Sequence, residues 1–161
     1  QTSPTPPIGR RSKTDPQGSA DRPINPMAQL LGSSASFIAR SHAAHVKHMT
    51  EMFERAVKHP GFSVVEVLSE CTMFYPGAFD AAIPRKGGEF NLINEEEHDL
   101  TSTSKAFDLA QLEFPGKFGV FYQDERSSKN DLEQKWINET HDKQGDLAPQ
   151  DLMRQKFAAM Q

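Results

Sequence analysis

The residue best suited to chemistry is the only cysteine, Cys71, in a chain of 161 residues. It lies just after Val64–Leu68, a β-branched and aliphatic run typical of a strand that is covered on both faces. In open α/β sheets, ligands collect beyond the carboxyl ends of the strands. A thiolate in that place is a soft ligand, so the spacing makes Cys71 a candidate ligand of a metal or cluster.

The alternative is that Cys71 is a small buried hydrophobe, which is the commonest fate of a free cysteine. A single cysteine also cannot hold an iron–sulfur cluster by itself, because such clusters normally need four thiolates. From the residues alone, both interpretations stay open.

Three histidines spaced three apart, His42, His45 and His48, form the next candidate cluster. On a helix this spacing spreads the three side chains over a wide face. A zinc site would instead need its ligands closer together, with an acidic or thiol ligand among them. We therefore interpret them as surface and capping residues.

The acidic run Glu95–Glu97 could supply a general acid, but no partner motif surrounds it, and a solvated face is favoured. The glycine pairs lack the strand–loop–helix context of a phosphate cradle and are interpreted as turns: Gly87-Gly88 and Gly116-x-x-Gly119. The sequence also contains no nucleophile elbow.

The composition limits the class of protein. The net charge of -4 does not favour binding to nucleic acid or to an anionic membrane. The sequence also contains no run of 18 apolar residues, the length typical of a transmembrane helix. A lone cysteine cannot form an internal disulfide, which indicates a reducing, cytoplasmic setting. Because the sequence opens at Gln1 without an initiator methionine, we expect a fragment or a processed product.

The elements that position Cys71 form a predicted strand–helix–strand unit. The pattern predicts strands at Ser36–Ala39 and Ser63–Leu68 with a helix at Ala43–Lys58 between them. Such a crossover makes the two strands parallel neighbours. The helix carries one apolar stripe, made of Val46, Met49, Phe53, Ala56 and Val57. The chain holds too few further strands to complete a doubly wound sheet, so we expect the sheet to continue outside this sequence.

The flanking segments are less regular. Residues 1–26 contain many prolines and predict either a disordered linker or a long functional loop. Residues 76–116 are expected to be irregular. The remaining predicted elements are a helix at Pro26–Leu31 capped by Asn25, an apolar strand at Phe118–Tyr122, a helix at Ser128–Ile137 and a loosely docked helical tail over residues 138–161.

Several ordered motifs resemble the β subunit of the 2-oxoacid:ferredoxin oxidoreductases, in their two-subunit, 2-oxoglutarate-type branch. Ser34–Arg40 is similar to the family's G-A-x-F-V-A-R strand, and Arg55–Ser63 to its K-A-[IV]-x-H-x-G-[FY]-S segment. Glu66–Cys71 is similar to E-V-L-S-x-C, and Gly119–Arg126 to G-[IV]-[FL]-Y-x-x-x-R. The opening Gln1–Thr5 resembles the end of the T-G-G-Q-x-S-P-T loop.

The resemblance implies an α/β fold, a partial parallel sheet of a thiamine diphosphate-binding fold with a long irregular C-terminal extension. Residues 1–75 would be the C-terminal half of the thiamine diphosphate-binding domain, with residues 1–26 as an active-site loop or linker. Residues 76–137 would be the β-subunit extension, and residues 138–161 a polar tail.

The resemblance also implies a reaction, the oxidative decarboxylation of a 2-oxoacid, with 2-oxoglutarate favoured, to an acyl-CoA. The implied cofactors are thiamine diphosphate, Mg²⁺ and a [4Fe-4S] cluster, and the implied partners are an α subunit, coenzyme A and ferredoxin, with no nucleic acid and no membrane. Cys71 matches a cluster cysteine of the family. Gln1 and Thr2 follow directly on its cofactor loop and are the expected cofactor contacts.

Two departures from the family pattern are visible. The family usually has S-P-C-P-T where this chain has Ser69–Met73, so that Glu70 replaces a proline beside the thiol. The family's Gly-Asp-Gly, its magnesium-binding Asn and its Cys-x-x-Cys pair do not occur in the chain, so every cofactor would need residues from outside it. The alternative is a stand-alone binding or scaffold fragment that retains the fold without catalysis.

Overall fold

A three-stranded sheet lies at the centre of the computed structural model, which describes residues 5–145 and 148–160. Its strands are β1 (Phe37–His42), β2 (Ser63–Leu68) and β3 (Gly119–Gln123), in the spatial order β2-β1-β3. β1 pairs in parallel with β2, and β3 pairs antiparallel to β1 on its other side. The predicted parallel pairing and the predicted third strand are confirmed.

β1 continues beyond the strand predicted at Ser36–Ala39. Arg40 lies opposite Glu66 in the parallel ladder, and His42 lies opposite Leu68. The strand includes the polar residues Arg40, Ser41 and His42, so the predicted end at Ala39 is wrong. Ladder hydrogen bonds to β2 keep the segment extended despite its polarity.

The crossover helix α2 spans Val46–Lys58 and begins three residues later than predicted. Residues 43–45 form a turn instead, in which the Ala44 N–H donates to Nδ1 of His42 over 3.0 Å. The helix buries Met52, whereas Val46, Phe53 and Val57 of the predicted apolar stripe are exposed, Val57 at 85%. Much of the apolar stripe of α2 is therefore turned away from this sheet.

Helix α1 (Pro26–Gly32) confirms the predicted cap at Asn25. Oδ1 of Asn25 accepts from the Ala28 N–H over 3.1 Å, while its Nδ2 donates to the carbonyl of Ala110 over 2.7 Å. Ala110 ends helix α3 (Thr103–Ala110), which lies inside the segment that we expected to be irregular. The sequence signal for α3 is weak, because its buried residues are two small alanines, Ala106 and Ala110.

The core lies on both faces of β1. Ile38 packs on one face in a buried cluster that α1 and α3 complete, with Met27, Leu31, Ala106, Ala110 and Phe121 among its members. Phe37, Ala39, Met52 and Val120 form the second cluster on the α2 face. By contrast, all six residues of β2 are only half-buried, although the sequence predicted a buried strand. β2 lies at the edge of the described sheet, so only one of its two long edges pairs with another strand.

The residues after Arg126 form a compact unit of their own, separate from the unit that contains the sheet. This second unit contains α4 (Lys129–Gln144), which ends at its C-cap Gly145, and α5 (Pro149–Ala158). α4 begins at the predicted place, with Ser128 and Asp131 forming a capping box, and runs longer than Ser128–Ile137. No helix among the described residues is long and apolar enough to cross a membrane. The domain boundaries at residues 75 and 137 stay predictions.

Candidate metal and cofactor site

Cys71 lies in a tight loop three residues beyond β2, and its side chain is exposed. The loop closes where the Tyr75 N–H donates to the carbonyl of Cys71 over 2.8 Å. The backbone N–H groups of Phe74 and then Met73 lower the pKa of the Cys71 thiol, because they donate to its sulfur and favour the thiolate. The structure therefore places an accessible thiol at the carboxyl end of the parallel pair, contrary to the buried alternative.

Three contacts hold the Cys71 loop (residues 70–77) in place. The carboxylate of Glu70 accepts from the Gly77 N–H over 2.8 Å and so closes the two ends of the loop. The guanidinium of Arg10 lies 3.9 Å from the centroid of the Tyr75 ring, and Nζ of Lys13 lies 3.5 Å from Sδ of Met73. Glu70, which departs from the family pattern, thus acts as an acceptor that stabilises the loop.

Residues 5–25 form a defined loop rather than a featureless linker. The Gly9 N–H donates to the carbonyl of Ser19, and the Ser19 N–H donates to the carbonyl of Arg10, over 2.7 and 3.0 Å. Gly18 has a φ of +95°, and a Cβ there would lie 2.6 Å from the carbonyl oxygen of Gly9, so only glycine fits. The predicted cofactor contacts Gln1 and Thr2 lie outside the described residues.

A charged pair lies on the same parallel ladder, close to the carboxyl ends of β1 and β2. Nε of Arg40 donates to Oε2 of Glu66 over 2.5 Å, and the two side chains are only 11% and 16% exposed. Both line a cavity of about 240 Å³, together with Thr5, Ile24, Asn25, Pro26, Leu68, Phe79, Ala110, Leu112 and Phe114. Sequence analysis missed this pair, because only the register of the two strands brings residues 40 and 66 together.

The three clustered histidines do not form a metal site. No group of three or more His, Cys, Asp or Glu side chains in the described part of the chain is placed to hold a metal ion. His45 stacks on Phe90 with ring centroids 3.6 Å apart, and Nδ1 of His48 lies 2.8 Å from Oγ of Ser41. His42 is buried, which corrects its interpretation as a surface residue.

His42 has one ring nitrogen in a hydrogen bond and one without a partner. Because Nδ1 accepts from the Ala44 N–H, Nε2 carries the proton of the neutral ring, and this buried atom meets no acceptor among the described residues. Burial is the main cause that lowers the pKa of His42, with the nearby His45 as the next. Burial thus favours the neutral form of the ring beside the carboxyl end of β1.

The acidic turn is exposed, as predicted. Glu95–Glu97 face solvent, and Glu95 pairs with Arg55 of α2 over 2.5 Å. His98, just after this run, is half-buried, and its Nε2 lies 2.8 Å from the carbonyl of Phe121. The turn therefore ties α2 and β3 together through surface contacts and contributes no group to the Cys71 loop.

Comparison with known proteins gives relatives for part of the chain, although no family model matches it. The 2-oxoglutarate oxidoreductase subunit KorB of Mycobacterium tuberculosis is 38% identical over 93 residues, which are 58% of this chain and 25% of that protein. The 2-oxoacid:ferredoxin oxidoreductase subunit beta of Saccharolobus solfataricus is 36% identical over 74 residues, 46% of this chain and 24% of the relative.

A longer match involves the 2-oxoglutarate synthase subunit KorB of Methanocaldococcus jannaschii, which is 29% identical over 120 residues. That match covers 74% of this chain and 43% of the relative, so the chain spans less than half the length of these curated relatives. Their names confirm the resemblance that the ordered motifs indicated.

The fold is shared with a solved structure, a 2-oxoglutarate:ferredoxin oxidoreductase from Magnetococcus marinus with 2-oxoglutarate, coenzyme A and succinyl-CoA bound. The TM-score is 0.79 at 23% identity, and the match covers 96% of this chain and 52% of the other. The predicted α/β fold class is therefore confirmed.

Proposed function

We propose that this chain is part of the β subunit of a 2-oxoacid:ferredoxin oxidoreductase that converts a 2-oxoacid into an acyl-CoA. 2-Oxoglutarate is the favoured substrate, because the names of several relatives contain it. The proposed partners are an α subunit, coenzyme A and ferredoxin. Because the chain matches only part of each relative, it acts in this proposal together with polypeptide that it does not contain.

The observation that carries the proposal is the position and chemistry of Cys71. Its thiol is exposed at the carboxyl end of β2, and backbone N–H groups favour the thiolate, which is the form that binds iron. These properties fit one ligand of a [4Fe-4S] cluster. Since four thiolates are normally required and the chain has one cysteine, the other ligands would come from elsewhere.

When bound, thiamine diphosphate with Mg²⁺ would supply the carbon nucleophile that permits decarboxylation, and a cluster would take up the electrons one at a time. The residues of this chain have narrower tasks. Met73 and Phe74 would hold negative charge on the Cys71 sulfur through their N–H groups, and Glu70 would keep the loop closed. Gln1 and Thr2 are proposed to contact thiamine diphosphate.

Iron analysis of the assembled two-subunit enzyme tests the role of Cys71. We expect Cys71→Ala to lose the cluster iron and the reduction of ferredoxin, while Thr72→Ala, a change at the adjacent exposed residue, keeps both. Full iron content in the Cys71→Ala enzyme would refute the assignment. If the unmodified enzyme neither contains iron nor oxidises a 2-oxoacid, the scaffold alternative would replace the proposal.

Protease protection tests the proposed role of Gln1 and Thr2. We expect residues 1–7 of the assembled enzyme to be cut more slowly when thiamine diphosphate and Mg²⁺ are added. Cleavage at the same rate with and without the cofactor would show that this segment takes no part in the site.

A further inference from the structure

Three of the four residues 10–13 are cations, and two of these three contact the Cys71 loop. We call Arg10, Arg11 and Lys13 the basic edge. Arg10 lies over the ring of Tyr75, and Lys13 reaches the sulfur of Met73, so two cations contact the loop itself. Arg11, which lies between them in sequence, is exposed. This local charge stands against a net charge of -4 for the chain.

The carboxylates near the basic edge are engaged elsewhere. Oδ1 of Asp15 accepts from the Gly18 N–H over 3.2 Å, and Glu70 accepts from the Gly77 N–H. Asp80, which follows the loop, pairs with Lys86 over 2.7 Å. Among the described residues, the structure records no carboxylate in an ion pair with Arg10, Arg11 or Lys13. These three cations are therefore not neutralised by an ion pair within the described part of the chain.

We infer that the basic edge and the Cys71 loop form the docking surface for a small acidic electron-carrier protein. This inference rests on the proposed function, because the carrier would receive its electrons beside Cys71. Electron-transfer proteins form short-lived complexes with small interfaces. Opposite charges on the two proteins speed the formation of such a complex, so a large apolar interface is not needed. Exposed cations beside the Cys71 loop would supply the charge that speeds such an encounter.

In the proposed reaction, the bond between the carboxylate carbon and the carbonyl carbon of the 2-oxoacid breaks and CO2 leaves, while the acyl carbon forms a bond to the sulfur of coenzyme A. The coenzyme A thiol proton is released. The two electrons removed from the substrate reduce two carrier proteins, each of which accepts one electron and carries it away.

The charge arrangement favours contact through Arg11 and Lys13. Arg10 is half-buried against Tyr75 and supports the loop, whereas Arg11 and Lys13 are the two exposed cations of the basic edge. Carboxylates of the carrier would pair with these two side chains at the rim of the contact. Such rim charges act mainly on the rate of association, which salt reduces steeply.

The experiment uses the complete two-subunit enzyme and an acidic ferredoxin with a single cluster, which accepts one electron, as the probe. The test variant is Arg11→Glu combined with Lys13→Glu, which reverses both exposed charges and leaves Arg10 on Tyr75. The matched control is Lys143→Glu combined with Lys156→Glu, which makes the same change in charge at exposed residues of α4 and α5. The readout is the ratio of ferredoxin reduction to reduction of a small viologen dye, at several NaCl concentrations.

We expect the test variant to lower this ratio about tenfold at low salt, through a higher KM for ferredoxin, and to flatten its dependence on salt. The control variant should keep the ratio and the salt dependence of the unmodified enzyme. An unchanged ratio in the test variant, or an equal fall in both variants, would overturn the docking surface. Failure of the unmodified enzyme to reduce the dye with any 2-oxoacid would instead overturn the proposed function, and the docking surface with it.

Discussion

The two parallel strands of the sheet differ in burial although both have sequences that suit a core. Phe37, Ile38 and Ala39 of β1 are fully buried, between two core clusters and between two neighbouring strands. β2 has the more β-branched sequence, yet all six of its residues are half-buried. The composition of β2 therefore suits a fully buried strand, and the described residues do not bury it fully.

The outward residues of α2 lead to the same conclusion as those of β2. Val46, Phe53 and Val57 share a helical stripe and are exposed, and Phe62, just before β2, is exposed as well. An apolar strand edge and an apolar helix face on adjacent elements are typical of a surface that packs against further polypeptide. This supports the proposal that the chain is part of a larger subunit.

The largest effect should come from truncating facing residues of the two strands. Ile38 and Val64 lie opposite each other in the ladder. We expect Ile38→Ala to cost about 2–5 kcal/mol of unfolding free energy, because it leaves a cavity in a filled core. Val64→Ala should cost about 1 kcal/mol in the chain alone, because its side chain is only half removed from water. Urea denaturation of both variants measures the difference, and equal losses would remove the contrast between the strands.

The ion pair that joins the strands should give the next largest effect. Glu66→Gln leaves the guanidinium of Arg40 without its counter-ion at 11% exposure. We expect a loss of about 1–3 kcal/mol, less than for a fully buried pair because water still reaches both groups. Replacing both residues, with Arg40→Met and Glu66→Leu, should restore most of the loss. If the double variant were less stable than Glu66→Gln, the pair would contribute more than charge compensation.

Acid should lower the free energy of unfolding through three histidines that lie in β1 or contact residues in or beside it. Burial is the main cause that lowers the pKa of His42, His48 and His59, all from an ordinary value of 6.5. His42 belongs to β1, His48 contacts Ser41 of β1, and His59 contacts Ser36 just before it. Below pH 6.5 the unfolded chain therefore binds more protons than the folded chain at these sites.

The stabilisation from these histidines is complete above pH 6.5 and is lost as the pH falls below that value towards the lowered folded values. We expect the urea midpoint to decrease between pH 7.5 and pH 5.5, and His48→Gln to reduce this decrease. The carboxyls of Asp99 and Asp131, whose pKa values are lowered from 3.8, act in a more acidic range. A midpoint that stays constant down to pH 5.5 would contradict the assignment.

The sequence predicted the elements whose signal is local. The cap at Asn25, the span of β2 and the start of α4 follow from side-chain types and spacing, and the structure confirms them. The parallel pairing of β1 and β2 was also predictable, because two strands joined by a crossover helix pair in parallel. The extension of β1 through Arg40 and the helix α3 were missed, because ladder pairing and the fit of small alanines depend on distant residues.

The candidate site was predictable only in part. The position of Cys71 after a strand pointed to an exposed ligand, and the structure confirms its exposure. The charged pair at residues 40 and 66, the role of Glu70 as an acceptor for Gly77 and the contacts of Arg10 and Lys13 require the register and the loop geometry. The spacing of residues along the chain does not predict these contacts.

The smallest effect should come from the outward stripe of α2. Val57 is 85% exposed, so Val57→Ser should change the unfolding free energy of the chain alone by no more than about 0.5 kcal/mol. In the assembled enzyme the same variant should weaken association, because the stripe would then be covered. Equal behaviour of the variant and the unmodified subunit in an assembly titration would show that α2 faces solvent in the enzyme as well.

Amide hydrogen exchange along β1 and β2 tests the central claim, that this chain carries one side of a site and of a sheet that other polypeptide completes. The amides of β1 should be protected both in the chain alone and in the assembled enzyme. The β2 amides that do not donate to β1 should exchange rapidly in the chain alone and slow by orders of magnitude in the enzyme, because a further strand would pair with them. Equally rapid exchange of these β2 amides in both samples would show that no further strand pairs with β2 in the enzyme.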